Sequence, residues 1–326
     1  MSKPKIAFYW CASCGGCEEA VVDLDEMILD VVAAVDIVFW PCAMDFKVAD
    51  VEAMPDQSIA VAFVNGAVRN SEQEHVVKLL RRKSVLVVAF GMCAWQGGIP
   101  ALANLKNKAG ILERAYLESP TTVNPEQTLP QAHCDAEGHA LTMPSLYESV
   151  RKLDDMIPVD YYLPGCPPTP KLIHGAVSAI LENQLPAKGA VLAPNRGLCH
   201  ACGRNATKPD RISVAEFKRV HQVAADPEIC FLAQGILCMG PATREGCGEL
   251  CIKGNMPCTG CFGPIGDSEQ GARMLAAVAG LSEAKTDEEV ARLTQSVADP
   301  AGTFYRYTLS ASLLAKRGDD GEGREK

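Results

Sequence analysis

No apolar run in this 326-residue chain is long enough to cross a bilayer. The longest, 58–68 and 84–94, stop well short of the roughly 18 to 20 residues that a spanning helix needs. Excess positive charge is missing as well: 31 Lys and Arg against 40 Asp and Glu leave a net charge of -9, with nothing to offset phosphate repulsion, so a nucleic-acid partner is excluded. Histidine is scarce, and His75, His133, His139, His174 and His221 show no ligand spacing and read as surface residues. No fixed period recurs, which excludes a solenoid or propeller. Behind a basic start the first apolar run is short and ends in cysteines without a small-residue cleavage site, and no twin-arginine pair precedes it. A cytoplasmic protein without a transmembrane segment is the expectation. Cysteine, by contrast, is abundant. Fifteen thiols, an odd number, in a reducing compartment cannot be a disulfide framework, which leaves metal ligation to explain so many.

Short continuous apolar runs over 5–10, 35–40, 58–64 and 84–90 have the character of strands buried on both faces. Helical periodicity fills 18–34, and Ser71-Glu-Gln-Glu opens a second helix with a capping-box pattern. A short helix is expected over 101–108, a long loop over 116–141, a strand leading to Pro164, and a helix over 171–183. Strands alternating with helices predict an α/β fold with a doubly wound parallel sheet over 1–185. After a linker over 186–197 the character changes. Eight cysteines and many glycines and prolines, with periodicity only around 214–225, describe a mostly irregular domain over 186–326, organised by something other than an apolar core. Its end is simpler: a helix over 271–281, another capped by Thr286 and Glu289, and a solvated tail over 318–326.

Cys14, Cys17, Cys93 and Cys166 each follow a predicted strand, so a parallel sheet brings them to one edge, where α/β folds keep their sites. Four thiolates at one point suit a 4Fe-4S cluster or tetrahedral zinc. Gly15, Gly16, Gly91, Gly97 and Gly165 let backbone N–H groups approach an anionic cluster, and helix starts near Glu18 and Ala94 add favourable dipoles. Cys11 completes no ferredoxin run, because Val21 stands where the fourth cysteine belongs, and it reads as a buried or cluster-lining thiol. Contiguous division of the later cysteines gives Cys199 and Cys202 with Cys230 and Cys238, then Cys247 and Cys251 with Cys258 and Cys261. Zinc stays open for the last set on spacing alone. Cys42 and Cys134 have no partner at motif spacing. Trp10 and Trp40 read as core or rim aromatics, and Trp95 as a cluster shield or a partner contact. Glu18 and Glu19 suit a helix start, with Glu19 a candidate for proton transfer.

Cys14-Gly-Gly-Cys17-Glu-Glu, Gly91-Met-Cys-Ala-Trp-Gln-Gly-Gly-Ile-Pro100 and Leu163-Pro-Gly-Cys-Pro-Pro168 together resemble, in order, the three proximal-cluster motifs of nickel-iron hydrogenase small subunits. The later cysteines resemble the relay domain of the same family. The resemblance implies a flavodoxin-like first domain and three 4Fe-4S clusters. Cys14, Cys17, Cys93 and Cys166 would hold the proximal one; Cys199, Cys202, Cys230 and Cys238 the distal one; Cys247, Cys251, Cys258 and Cys261 the medial one. Cys199 stands where many members carry histidine, and Cys199 rather than His200 is the expected ligand. Ser13 replaces a glutamate that membrane-bound relatives carry for proton transfer, so that role is not transferred. No cysteine pair remains to bind a bimetallic centre, which places that centre in a partner large subunit. The cytoplasmic viologen-reducing (non-deazaflavin-reducing) group is the most similar, and it implies as partners a small iron-sulfur subunit and a heterodisulfide-reductase-type flavoprotein. Deazaflavin-reducing and NADP-linked small subunits are the close alternatives. A single-cluster quinone-reductase subunit lacks the second cysteine-rich region, and a zinc-stabilised scaffold is the reading without redox chemistry.

Overall fold

The computed structural model describes residues 3–315, so the expected tail over 318–326 lies outside the described residues. The chain opens with β1 (Lys5–Trp10), α1 (Gly16–Val22), α2 (Met27–Ala34), β2 (Asp36–Phe39), α3 (Val48–Ala53), β3 (Ile59–Asn65) and β4 (Val68–Asn70). Next come α4 (Ser71–Lys83), β5 (Ser84–Phe90), α5 (Met92–Gln96), α6 (Lys108–Tyr116), β6 (His133–Ala136), β7 (His139–Thr142), β8 (Leu146–Arg151), β9 (Tyr161–Leu163) and α7 (Pro170–Leu181). The main sheet runs β2-β1-β3-β5-β9, with every pair parallel. This is the flavodoxin-like order, in which ligands gather beyond the carboxyl ends of the strands.

Side chains alternate across the sheet with a period of two. Ala7, Ala62, Val64, Val87 and Ala89 face a layer supplied by α4 through Val76, Val77, Leu79 and Leu80. Ile6, Phe8, Val61, Phe63, Val88 and Phe90 face α1 and α7 through Ala20, Val21, Ile173, Ala176 and Val177. Helices on both faces explain why these strands read as unbroken apolar runs.

Several sequence expectations need correction. The single helix over 18–34 is two helices, α1 and α2, separated by a turn with Asp25 at φ 52°. Asp23, Asp25 and Glu26 crowd negative charge where a helix C-terminus disfavours it, and Asp tolerates the left-handed turn. Asn70, not Ser71, caps α4: its Oδ1 accepts from Gln73 N–H at 2.9 Å, while Ser71 Oγ accepts from Ser145 N–H at 3.0 Å. The loop over 116–141 contains part of the exposed hairpin β6–β7, and β4 with β8 forms a separate antiparallel pair. The short helix over 101–108 is a 3-10 segment, Ile99–Leu105.

Beyond α7 the described residues hold little regular structure until α8 (Leu250–Lys253), α9 (Gln270–Leu281), α10 (Asp287–Ser296) and α11 (Pro300–Phe304). The periodicity around 214–225 forms no helix; Val214 and Lys218 instead make isolated bridges to Ser282 and Ile236. The expectation that this region lacks an apolar core is also corrected. Phe217, Phe231, Leu232, Ile236 and Met239 pack with Met274, Phe304 and Leu309 and with Ala67, Ala101 and Val150 from the first half. Polar staples supplement that core. The buried Arg204 guanidinium lies over the Phe231 ring at 4.1 Å and donates to the carbonyls of Asp226, Ile229 and Ile252 and to Asn255 Oδ1. The Thr286–Glu289 capping box is present at α10.

Candidate metal centres

Register places the first thiol set. Trp10 pairs with Asn65, Asn65 with Phe90, and Phe90 with Leu163, so the carboxyl ends of β1, β3, β5 and β9 form one row. Cys14 and Cys17, Cys93, and Cys166 follow three of these ends by a few residues each. Burial pushes the Cys17 thiol strongly up, and Cys93, Cys166 and Cys14 stand close enough to push it further. Cys93 is raised to about 12, first by burial and then by Cys166 and Cys14. The backbone around them is shaped for sulfur: a β-carbon at Gly91 would collide with Cys17 Sγ, and one at Gly98 would stand 2.5 Å from Cys93 Sγ. Gly16 N–H points at Cys14 Sγ at 3.4 Å. Cys14 is exposed whereas Cys17 and Cys93 are buried, so one corner of this set faces outward.

The second and third sets are carried by loops and short helical turns, with Cys199 in a 3-10 turn and Cys251 in α8. Burial pushes Cys199 up to about 12, with Cys238, Cys202 and Cys230 acting in the same direction. All four line a cavity of about 310 Å³. Burial likewise pushes Cys261 up to about 12, helped by Cys247, Cys166 and Cys251. Cys247, Cys251, Cys258 and Cys261 share a cavity of about 240 Å³ with Cys166. Cys258 is raised by burial and then by Cys238, whose sulfur accepts from Cys258 N–H at 3.4 Å. The third set therefore adjoins both others: it shares its cavity with Cys166 of the first, and Cys258 N–H donates to Cys238 Sγ of the second.

These residues fit a polynuclear sulfur-ligated group. A buried thiol among other thiols ionises only if a cationic centre offsets both burial and mutual repulsion. A single tetrahedral ion draws four sulfurs to about 2.3 Å from one point. The four thiols of the second set line one cavity of about 310 Å³ and those of the third line one of about 240 Å³, space for a group larger than one ion.

The other residues singled out by the sequence fall outside the three sets. Cys11 is buried at the end of β1, where desolvation pushes its thiol strongly up, while Cys42 and Cys134 are exposed. All six histidines are exposed, His200 included. Trp95 is buried, with its ring 6.0 Å from that of Tyr162, so it is an internal contact rather than a partner contact. Trp40 is buried and Trp10 is exposed on the rim. The two glutamates exchange importance: Glu19 is exposed, whereas Glu18 is buried and accepts from Trp40 Nε1 and Asn65 Nδ2. Asn65 Oδ1 in turn accepts from Ser13 Oγ at 2.9 Å. Glu18, Asn65 and Ser13 thus tie the Cys14–Cys17 loop to the end of β3. A polar Asn at the end of an apolar strand is the sequence feature that could have flagged this network.

The profile of the NADH ubiquinone oxidoreductase 20 Kd subunit family matches residues 14–180. The chain is 41% identical to the iron-sulfur subunit of the F420-non-reducing hydrogenase of Archaeoglobus profundus, over 96% of this chain and 98% of that one. It is 34% identical to a subunit of the F420-non-reducing hydrogenase of Methanothermobacter thermautotrophicus, over 96% of each. Among solved structures, a NiFeSe hydrogenase chain from Desulfovibrio vulgaris Hildenborough aligns with a TM-score of 0.51 at 19% identity, covering 84% of this chain and 98% of that one, a likeness of fold. No helix among the described residues is long and apolar enough to cross a membrane. With its strand-end thiols, its cysteine-rich second half and these near-full-length relatives, the chain belongs to the family of hydrogenase small, electron-transfer subunits represented by the iron-sulfur subunit of F420-non-reducing hydrogenase.

Proposed function

We propose that the twelve thiols of the three sets hold three 4Fe-4S clusters, with Cys14, Cys17, Cys93 and Cys166 as proximal ligands. Cys247, Cys251, Cys258 and Cys261 are the medial ligands, and Cys199, Cys202, Cys230 and Cys238 the distal ones. The observation that carries this reading is the succession of sets, the third sharing a cavity with Cys166 of the first and bonded through Cys258 N–H to Cys238 Sγ of the second. Bound there, such clusters supply reversible one-electron chemistry at potentials set by ligand type, hydrogen bonds to sulfur and burial. The chain's own residues supply the rest. Glycines without side chains bring backbone N–H groups to the sulfurs, the apolar layers keep Cys17, Cys93, Cys238 and Cys258 out of water, and the Asn65 network fixes the first loop.

In this reading the first set faces a large subunit that holds the nickel-iron site, since Cys14 and Trp10 leave that corner exposed. The complex works in the cytoplasm, and its downstream acceptor is a small iron-sulfur subunit with a heterodisulfide-reductase-type flavoprotein. That acceptor is favoured over a deazaflavin- or NADP-linked one because the relatives at 41 and 34% identity are named F420-non-reducing and match nearly end to end. Iron and acid-labile sulfide analysis of the purified complex tests the ligand assignment. About twelve of each in this chain is expected, and zinc in their place would leave a metal-stabilised scaffold. Hydrogen-dependent viologen reduction by the co-purified complex, together with the identity of the proteins that co-purify, tests the rest.

A further inference from the structure

Tyr307 follows α11 in the C-terminal part of the chain, yet it contacts the loops of two thiol sets assembled from distant segments. It is 8% exposed and packs with Met92 and Trp95 in an apolar cluster against which Cys166 and Cys261 also lie. Its hydroxyl is 3.1 Å from Thr259 Oγ1, and Thr259 sits inside the Cys258–Cys261 loop. Its carbonyl accepts from Gly98 N–H at 3.1 Å, and Gly98 is pressed against Cys93. One residue therefore holds the loop of the first set by its backbone and the loop of the third by its side chain. Burial raises the phenol and the Thr259 hydrogen bond partly offsets that.

We propose that Tyr307 is a positioning residue of the relay, whose ring keeps the gap between the first and third thiol sets dry and whose two hydrogen bonds fix their separation. This rests on the reading that both sets hold clusters. Reduction adds negative charge, which a dry site disfavours, so letting water into the gap stabilises the reduced form and raises the potential. The hydroxyl acts on one side only, through Thr259, and the ring acts on both.

The test is a redox titration followed by electron paramagnetic resonance on the intact complex, with iron content measured in parallel. Tyr307→Phe keeps the ring and is expected to keep full iron while shifting the potential of the third-set centre alone. Thr259→Val should reproduce that shift, and the double variant should add nothing to it. Tyr307→Ala should raise the potentials of both the first- and third-set centres and weaken the magnetic interaction between them. If Tyr307→Ala fails to assemble, the Phe and Val variants decide the matter. Full iron with potentials and spin interaction unmoved would overturn the role of Tyr307 while leaving the cluster assignment intact. Loss of iron from Tyr307→Phe would also overturn it, by making the residue a scaffold of each site rather than a spacer between filled ones. Absence of iron from the unaltered protein would instead defeat the cluster assignment itself.

Discussion

The first thiol set hangs from the ends of strands whose pairing is fixed by backbone hydrogen bonds, while the second and third are held by loops and short turns over 199–261. In the first, a row of paired residues, Trp10, Asn65, Phe90 and Leu163, defines where the cysteines arrive before any metal is considered. In the second half, the apolar cluster around Phe231 and the Arg204 staple bring the loops near one another, but no ladder sets the sulfurs. Under the proposed cluster assignment these are two ways of building a metal site: one preorganised by a sheet, the other completed by what it binds.

Removing the metal should break this comparison most visibly. Anaerobic chelation is expected to strip amide-exchange protection from 199–262, at a cost that approaches roughly 10 kcal/mol in small metal-folded modules. The amides of β1, β3 and β5 should keep theirs. Equal loss in both halves, or none in the second, would sink the contrast.

Next in size is the anchor of the sheet itself. Asp160 is buried and receives Arg81 at 2.6 Å, Lys188 at 2.7 Å and Val87 N–H at 2.8 Å. Burial works to raise its carboxyl, but these partners win and hold it below the usual range. Asp160→Asn leaves Arg81 without its buried partner and is expected to cost about 3 kcal/mol in denaturant unfolding, with iron content unchanged. The sign of the pH effect follows from the lowered value. The stabilisation is complete above the unfolded carboxylate range, near roughly pH 4, and is lost as pH falls through the folded value. The Asn variant should lack that acid-side slope.

What the residues disclosed beforehand follows the same division. The apolar runs of β1, β3 and β5 made the parallel sheet legible, and the cysteines just beyond them made the first set legible too. Glu18 was not: a carboxylate at a helix start looks solvated, and only the placement of Trp40 and Asn65 shows that it is buried. The break at Asp25 escaped because apolar periodicity runs on through it. In the second half Phe217, Phe231, Leu232, Ile236 and Met239 follow no period, since they sit on turns whose direction depends on distant contacts, so their shared core was invisible. The grouping of its eight thiols into two sets was readable only because cysteine spacing does not depend on secondary structure.

A smaller effect sharpens the role of the preorganised half. Gly91 follows β5 at φ 84°, and a β-carbon there would meet Cys17 Sγ. Gly91→Ala should therefore cost about 1–3 kcal/mol in backbone strain and, because the sulfur must move, lower the iron content by one cluster's share. The amide protection of β5 should remain. Iron content equal to that of the unaltered protein would show that the first site tolerates displacement and is less preorganised than its sheet suggests.

The smallest effect falls on α10, which carries none of the twelve thiols. Thr286 Oγ1 accepts from Glu289 N–H at 3.3 Å and Glu289 Oε2 accepts from Thr286 N–H at 3.2 Å, which satisfies donors that the first turn otherwise leaves open. No residue of α10 is fully buried, and its first turn is exposed, so the cap is the main support of that turn. Thr286→Ala should cost about 1 kcal/mol, read as faster amide exchange within 287–296. Ser296 Oγ accepts from Phe217 N–H at 3.0 Å and half-buried Leu293 packs against the core around Phe231, so a hydrogen bond and an apolar contact join this helix to the region of the second set. If fraying at Thr286 stays local, iron content and exchange around Cys230 and Cys238 will not change, and the loop-borne sites owe their order to their own contacts. If exchange there accelerates as well, those sites depend on a helix that supplies none of the twelve thiols, and their order reaches further into the chain than the thiols and the turns that carry them.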